Sequence, residues 1–134
     1  MQTLSDNSPL IKKLKPHESE IFHIKPAEPE SPQYIGSDLH FSCGFEVKAF
    51  DWGESHVNVS LKNDYKKKGS IFVYIPESKG LDKAIVKVND DESSQFEIVA
   101  KPSFGGNLCG RVLRVNIEIE GSGTTNDGLV SIHW

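Results

Sequence analysis

Strict alternation of apolar and polar side chains is the feature that most limits what this chain can become. From Leu113 to Glu120 the sequence reads "LRVNIEIE", with Leu113, Val115, Ile117 and Ile119 on one face of an extended chain and Arg114, Asn116, Glu118 and Glu120 on the other. Successive side chains of a strand point to opposite sides, so a period of two buries one face and hydrates the other. No window of the chain holds a convincing helical period. The same alternation returns in Val57, Val59 and Leu61, in Ile71, Val73 and Ile75, in Ala84, Val86 and Val88, and in Phe96, Ile98 and Ala100; Leu129 to Trp134 forms a last strand.

Turn chemistry punctuates these runs. "GES", "NDYKKKG", "PESKG", "NDDESS", "KPSFGGNLCG" and "GSGTTNDG" separate them, and Pro76, which has no N–H to donate, ends "SIFVYIP". The longest run, His40 to Trp52, places Phe41, Cys43, Phe45, Val47 and Ala49 on one face and then switches phase to Phe50 and Trp52. A one-residue slip exchanges the two faces of a strand, so a bulge or a strand end is expected near Ala49 to Asp51. Upstream, "IFHIK" (Ile21 to Lys25) reads as a short strand, and the three prolines of "PAEPESPQ" make a linker or an extended segment covering a sheet edge.

About eight or nine short strands joined by turn-rich loops predict an all-β chain, an antiparallel two-sheet β-sandwich of Ig-like or jelly-roll-like kind, with a closed barrel as the alternative. Residues 1–32 form N-terminal strand(s) and the proline-rich linker, and 33–134 the sandwich domain. A chain of 134 residues, 37% of them hydrophobic, suits a single core.

Charge narrows the partners. Fifteen Lys and Arg against 19 Asp and Glu give a net charge of −4, which argues against a nucleic-acid binder, since phosphate contact requires a basic face. Lys66 to Lys68, the one tight basic run, reads as a solvated turn. No apolar run approaches the roughly 18 residues that cross a bilayer, so no membrane partner is expected. "MQTLSDNSPL" lacks the basic and apolar regions of a signal peptide, and the compartment is left open. Cys43 and Cys109 are too few for a disulfide framework or a four-ligand zinc site; both are expected as buried free thiols, and their pairing is left open.

No residue stands out as catalytic. His17, His23, His40, His56 and His133 show no metal-ligand spacing, and no cofactor motif is present, so neither a metal nor a cofactor is expected. Asp51, Glu54, Asp64, Asp90, Asp91 and Glu92 fall at turns, where acidic side chains serve solubility and local hydrogen bonding. "NDDE" lacks the spacing of a calcium loop, and "FGGN" (Phe104 to Asn107) lies between strands rather than before a helix. Aromatic residues are the group able to carry binding, because sugars rest their CH-rich faces on exposed rings. Phe41, Phe45, Phe72 and Phe96 are assigned to the core. Trp52 at a strand end, Tyr74 and Tyr34 are the candidate carbohydrate contacts, with core or interdomain packing the stronger reading for Trp52.

The segment "PLIKKLKPHESEIFHIKPAEP", through Leu14, Pro16, His17, Glu18, Phe22 and Ile24, resembles the turn and strand found near the end of many glycoside hydrolases. "QYIGSDLHFSCGFEV", "GSIFVYIP" and "AIVKVND" look like the C-terminal β-sandwich of α-galactosidase-like (melibiase-type) enzymes. Asp90 departs from that pattern, standing where a Val-Asn-Gly turn would have glycine. The resemblance implies a non-catalytic accessory domain packed on the (β/α)8 catalytic barrel of a parent glycosidase outside this chain, whose own strand ends carry the catalytic aspartates. The alternative is a free-standing carbohydrate-binding module whose partner is an oligosaccharide. A small sandwich enzyme using two carboxylates is a third possibility.

Overall fold

A computed structural model describes residues 10–40, 44–92, 94–123 and 128–134. Among the described residues eight strands follow in chain order: β1 (Gln33–Ser37), β2 (Val47–Trp52), β3 (His56–Leu61), β4 (Lys67–Pro76), β5 (Ile85–Val88), β6 (Phe96–Ala100), β7 (Gly110–Ile119) and β8 (Leu129–His133). They form two four-stranded antiparallel sheets, β1-β4-β7-β6 and β2-β3-β8-β5, which are not closed into a barrel. This is the expected β-sandwich. Among the described residues there is no helix, so none is long and apolar enough to cross a membrane.

The alternation in the sequence is the core. Val57, Val59, Ile71, Val73, Ile75, Leu113, Val115, Ile119, Val130 and Ile132 are sealed from solvent between the sheets. They come from the two central strands of each sheet, which bury their inner side chains most completely. Removing such surface from water is the main force holding the sheets together.

Strand directions sort the loops. One end of the sandwich, the upper end here, gathers the start of β1, the β2–β3 turn, the 77–84 and 101–109 loops and the C-terminus. Trp134 closes it, its indole N–H donating to the Glu54 carbonyl (3.0 Å) and its backbone N–H to that of Ser55 (3.1 Å). The lower end gathers the other connections, including a two-residue turn at Asn89–Asp90. Both of its residues have left-handed backbones (φ 51° and 68°), and Val88 and Asp91 exchange backbone hydrogen bonds of 3.1 and 3.0 Å across it. Two consecutive positive φ values define the turn that normally takes Asn-Gly. Asp90 thus occupies the glycine position without changing the turn.

Several expectations are corrected. Ile21–Lys25 is not a strand; Ile21, Phe22 and Ile24 are exposed by 69, 45 and 68% because no neighbouring strand pairs with them. The His40–Trp52 run is not one strand either. It turns through Gly44–Glu46 before Val47–Trp52 extends as β2, with a register shift between Val47 and Ala49, just ahead of the Ala49 to Asp51 stretch where the bulge was expected. Phe45 consequently leaves the core: it is 58% exposed, packed on the His40 ring at 5.1 Å beneath the Lys62 ammonium at 3.6 Å. Phe41 and Cys43 lie outside the described residues. Phe72 falls on the outer parity of β4, opposite Arg114, and is half-buried there. Lys67 is no part of a solvated turn: it belongs to β4 and is 3% exposed, its ammonium held by Asp64 (2.8 Å) and the Tyr65 carbonyl (3.2 Å). A lysine can occupy the end of a core when its stem lies on apolar surface and its charge meets acceptors at the rim.

Candidate functional site

The three aromatic candidates are held in three different places. Tyr34 lies inside the sandwich, 6% exposed, its ring 6.3 Å from that of Phe50. A register shift between Tyr34 and Gly36 inserts Ile35 as an extra residue, so Tyr34 and Ser37 both point inward although three positions apart. Both hydroxyls donate to Oε1 of Glu46, Tyr34 at 2.7 Å and Ser37 at short range, while Ser37 accepts from the Leu39 N–H at 3.2 Å. Glu46 is 1% exposed, and its Oε2 has no hydrogen-bond partner. This trio closes the open side of the core between the edge strands β1 and β2.

Tyr74 is on the outer face of its sheet, yet only 2% exposed. The N-terminal linker and the 101–109 loop cover it: its hydroxyl donates to the Pro29 carbonyl (2.8 Å), and the Phe104 ring meets it edge-on at 5.8 Å. Gly110 passes directly beneath, where a Cβ would fall within the Tyr74 ring. Burial, reinforced by the nearby Cys109, pushes the Tyr74 phenol above its ordinary range. A stacking platform needs an open ring face, and neither tyrosine offers one; their assignment as sugar contacts is corrected on that ground.

Trp52 keeps its ring half-open, at 49% exposure, on the upper end of edge strand β2. Beside it the outer face of the β2-β3-β8-β5 sheet carries a polar row that no local motif announced. Strand register sets Asp51 opposite Asn58, and His56 opposite His133. The Asn58 amide donates to Asp51 Oδ2 at 3.1 Å, the His56 Nε2 lies 3.8 Å from the same oxygen, and the two imidazoles stack at 6.0 Å. These residues share one face only through pairing between strands distant in sequence. Trp52 has the opposite parity to Asp51, so ring and polar row meet only at the strand edge.

A second polar surface is a shallow trough of about 560 Å³ along the lower halves of β4 and β7, which reaches across to Val88, Asp91 and Ser94. Its side chains are largely committed to one another. Asp38 accepts the Ser70 backbone N–H (2.5 Å), the Ser70 hydroxyl donates to Asn116 (2.9 Å), and Arg114 Nε donates to the Ser70 oxygen (3.1 Å). Lys68 stands 3.4 Å from Glu118. Elsewhere on the surface, hydrogen bonding to Glu120 raises the Lys66 ammonium, the Glu92 partner raises that of Lys87, and the Lys67 hydrogen bond lowers the Asp64 carboxyl. Among the described residues no group of three or more His, Cys, Asp or Glu side chains is placed to hold a metal ion, and Cys109 is a half-buried free thiol.

A third surface is apolar. Ahead of the sandwich, Ile11, Leu14, Ile21, Phe22 and Ile24 are all exposed, by 45 to 83%. The arm that carries them turns at Lys15–Glu18, where the Glu18 N–H donates to the Lys15 carbonyl (3.0 Å) and His17 takes a left-handed φ of 66°. Lys12 and Glu20 tie its two limbs together at 2.9 Å. Its root is fixed to β1: Lys25 Nζ donates to the Tyr34 carbonyl (2.7 Å), and the Gln33 amide to that of Pro26 (2.8 Å). Against known proteins, the chain matches no family model, no curated protein and no solved structure.

Proposed function

We propose that this chain is a non-catalytic accessory β-sandwich that acts by docking, its partner being the catalytic barrel of an α-galactosidase-like glycosidase. The observation that carries this reading is the arm. The core between the sheets is complete without Ile11, Leu14, Ile21, Phe22 and Ile24, and these large apolar side chains stand in water on a segment whose root is anchored. Exposed apolar surface on that scale marks a contact with another protein surface. The family of the partner comes from the resemblance of "KPHESEIFHIKP" to the turn and strand found near the end of many glycoside hydrolases, and of the strands that follow to the C-terminal sandwich of α-galactosidase-like enzymes.

The experiment mixes the purified chain with an α-galactosidase-type barrel expressed without its own C-terminal sandwich, followed by calorimetric titration. Saturable binding that is lost in the Ile21→Asp/Ile24→Asp variant supports the proposal, and absence of binding refutes it. The chain alone is expected to leave aryl α-galactosides intact.

A carbohydrate-binding module is the second reading, favoured by the half-open Trp52 ring beside Asp51, Asn58 and His56. Chemical-shift mapping with a panel of oligosaccharides tests it. Saturable shifts at the Trp52 indole support it, and an unresponsive indole removes it.

A further inference from the structure

The arm, residues 10–24, is shorter than the roughly 20–30 residues that each side of an ordinary protein–protein interface contributes. A neighbouring surface of the sandwich must complete its contact, and the position of its root says where. Lys25 and Gln33 fasten it at the start of β1, at the upper end of the β1-β4-β7-β6 sheet. Between Lys25 and β1 the linker lies on the outer face of that sheet, where the Pro29 carbonyl accepts from the Tyr74 hydroxyl at 2.8 Å. Phe104 meets the same Tyr74 ring edge-on, so the 101–109 loop adjoins the root of the arm.

That loop is built to hold an apolar side chain in water. Ser103 and Cys109 bridge as an antiparallel pair, the Phe104 N–H donates to the Leu108 carbonyl (2.8 Å), and the Leu108 N–H donates to that of Gly105 (3.2 Å). Gly105 and Gly106 supply the left-handed φ values, 96° and 58°, that the turn requires. The Glu77 N–H donates to the Cys109 carbonyl at 2.9 Å and ties the hairpin to the end of β4. Leu108 stands at its tip, 41% exposed, where tight turns ordinarily carry polar side chains. Val99, the extra residue at the β6 register shift, is 43% exposed just ahead of the same loop.

Two other regions are fitted to water instead. The 77–84 loop, also at the upper end, carries Glu77, Lys79, Asp82 and Lys83, whereas residues 101–109 hold a single charge, Lys101. At the lower end the exposed rings of Phe45 and Tyr65 lie beneath the Lys62 and Lys67 ammoniums, at 3.6 and 3.7 Å. A cation held over a ring occupies the face that a partner would need. The centre of a protein interface is depleted of charge, and a turn already fixed by backbone bonds loses little freedom on binding.

We infer that the barrel seats on the upper outer face of the β1-β4-β7-β6 sheet, where Leu108 at the tip of the 101–109 hairpin and Val99 beside it complete the contact that the arm begins. The inference rests on the docking role proposed for the arm and names the surface of the sandwich that joins it.

Calorimetric titration with the α-galactosidase-type barrel, repeated with three single variants, tests it. Leu108→Asp is expected to weaken binding by at least about tenfold, because an apolar contact is lost and a charge is buried in its place, and Leu108→Ala to weaken it less. Lys83→Asp makes a larger charge change in the adjacent upper loop and is expected to keep affinity within about twofold. Both sites are exposed enough for the variants to fold, which unchanged circular dichroism melts verify. In the wild-type chain, barrel binding is expected to slow amide exchange at residues 105–107 and to leave Asp82 and Lys83 as they were. A Leu108→Asp protein that binds like the parent, a Lys83→Asp loss of the same size, or 105–107 amides that stay fast in the complex would each overturn this surface, and saturable binding lost in Ile21→Asp/Ile24→Asp would still leave the docking role of the arm standing. A wild-type chain that binds no barrel would overturn both.

Discussion

Replacing Tyr34 by phenylalanine removes one oxygen from a sealed site and leaves the ring, with its Phe50 contact, in place. Glu46 Oε1 then accepts from Ser37 alone, in a pocket where its Oε2 already lacks a partner. Losing one donor to a buried carboxyl group costs about 1–3 kcal/mol. The sandwich domain spans roughly 100 residues, for which about 1 kcal/mol moves the melting temperature by about 5 °C, so a fall of roughly 5–15 °C is expected. Glu46→Met alone strands two hydroxyl groups and should cost a similar amount. Changing both residues removes the acceptor together with one stranded donor, and the double variant should be at least about 1 kcal/mol more stable than the sum of the single losses. Urea titrations of the four proteins measure that coupling. Strictly additive losses, or a Tyr34→Phe protein as stable as the parent, would show that the trio does not hold the β1–β2 side of the core together.

Three further outcomes are expected. Because burial raises the Tyr74 phenol above the unfolded value, the folded state keeps its proton longer than the unfolded one does; the resulting stability is present below about pH 10, is lost as pH rises through the folded value, and is absent from Tyr74→Phe, as phenolate absorbance and melts above pH 10 will show. Asp90→Gly should stabilise the chain by about 0.5 kcal/mol in a thermal melt, because glycine takes the left-handed position without a Cβ penalty but gives back part of the gain in unfolded-state entropy. Gly110→Ala forces a Cβ into the Tyr74 ring and should cost about 1–3 kcal/mol in urea unfolding, since the linker and loop that cover the ring must shift.

The fold was legible where alternation alone decides burial. Leu113, Val115, Ile117 and Ile119 needed only their spacing to be placed, and the same holds for Val57, Val59 and Leu61. Alternation failed where a strand needs a neighbour to exist. Ile21–Lys25 has the pattern but no adjacent strand within its own molecule, and Phe45 lost its inward position to Glu46 when the chain turned at Gly44. The candidate surfaces were less legible for a related reason. Tyr34 and Tyr74 carry polar tips on apolar rings, and only tertiary packing decides whether such a residue faces water or a buried acceptor. The pairing of His56 with His133 depends on register between strands some 70 residues apart, which no local window contains. Lys67 reads as solvated from its lysine neighbours, yet its place on the inner parity of β4, one turn after Asp64, is what sets its burial.

The docking role of the arm bears most of the weight, and hydrogen exchange at the backbone amides of residues 20–24 measures it most directly. In the isolated, dilute chain those amides, set on exposed and unpaired backbone, should exchange as fast as an unstructured peptide. On adding the α-galactosidase-type barrel, they should become protected while the amides of β3 and β8 stay as they were. Amides that remain fast with the barrel present would contradict the account.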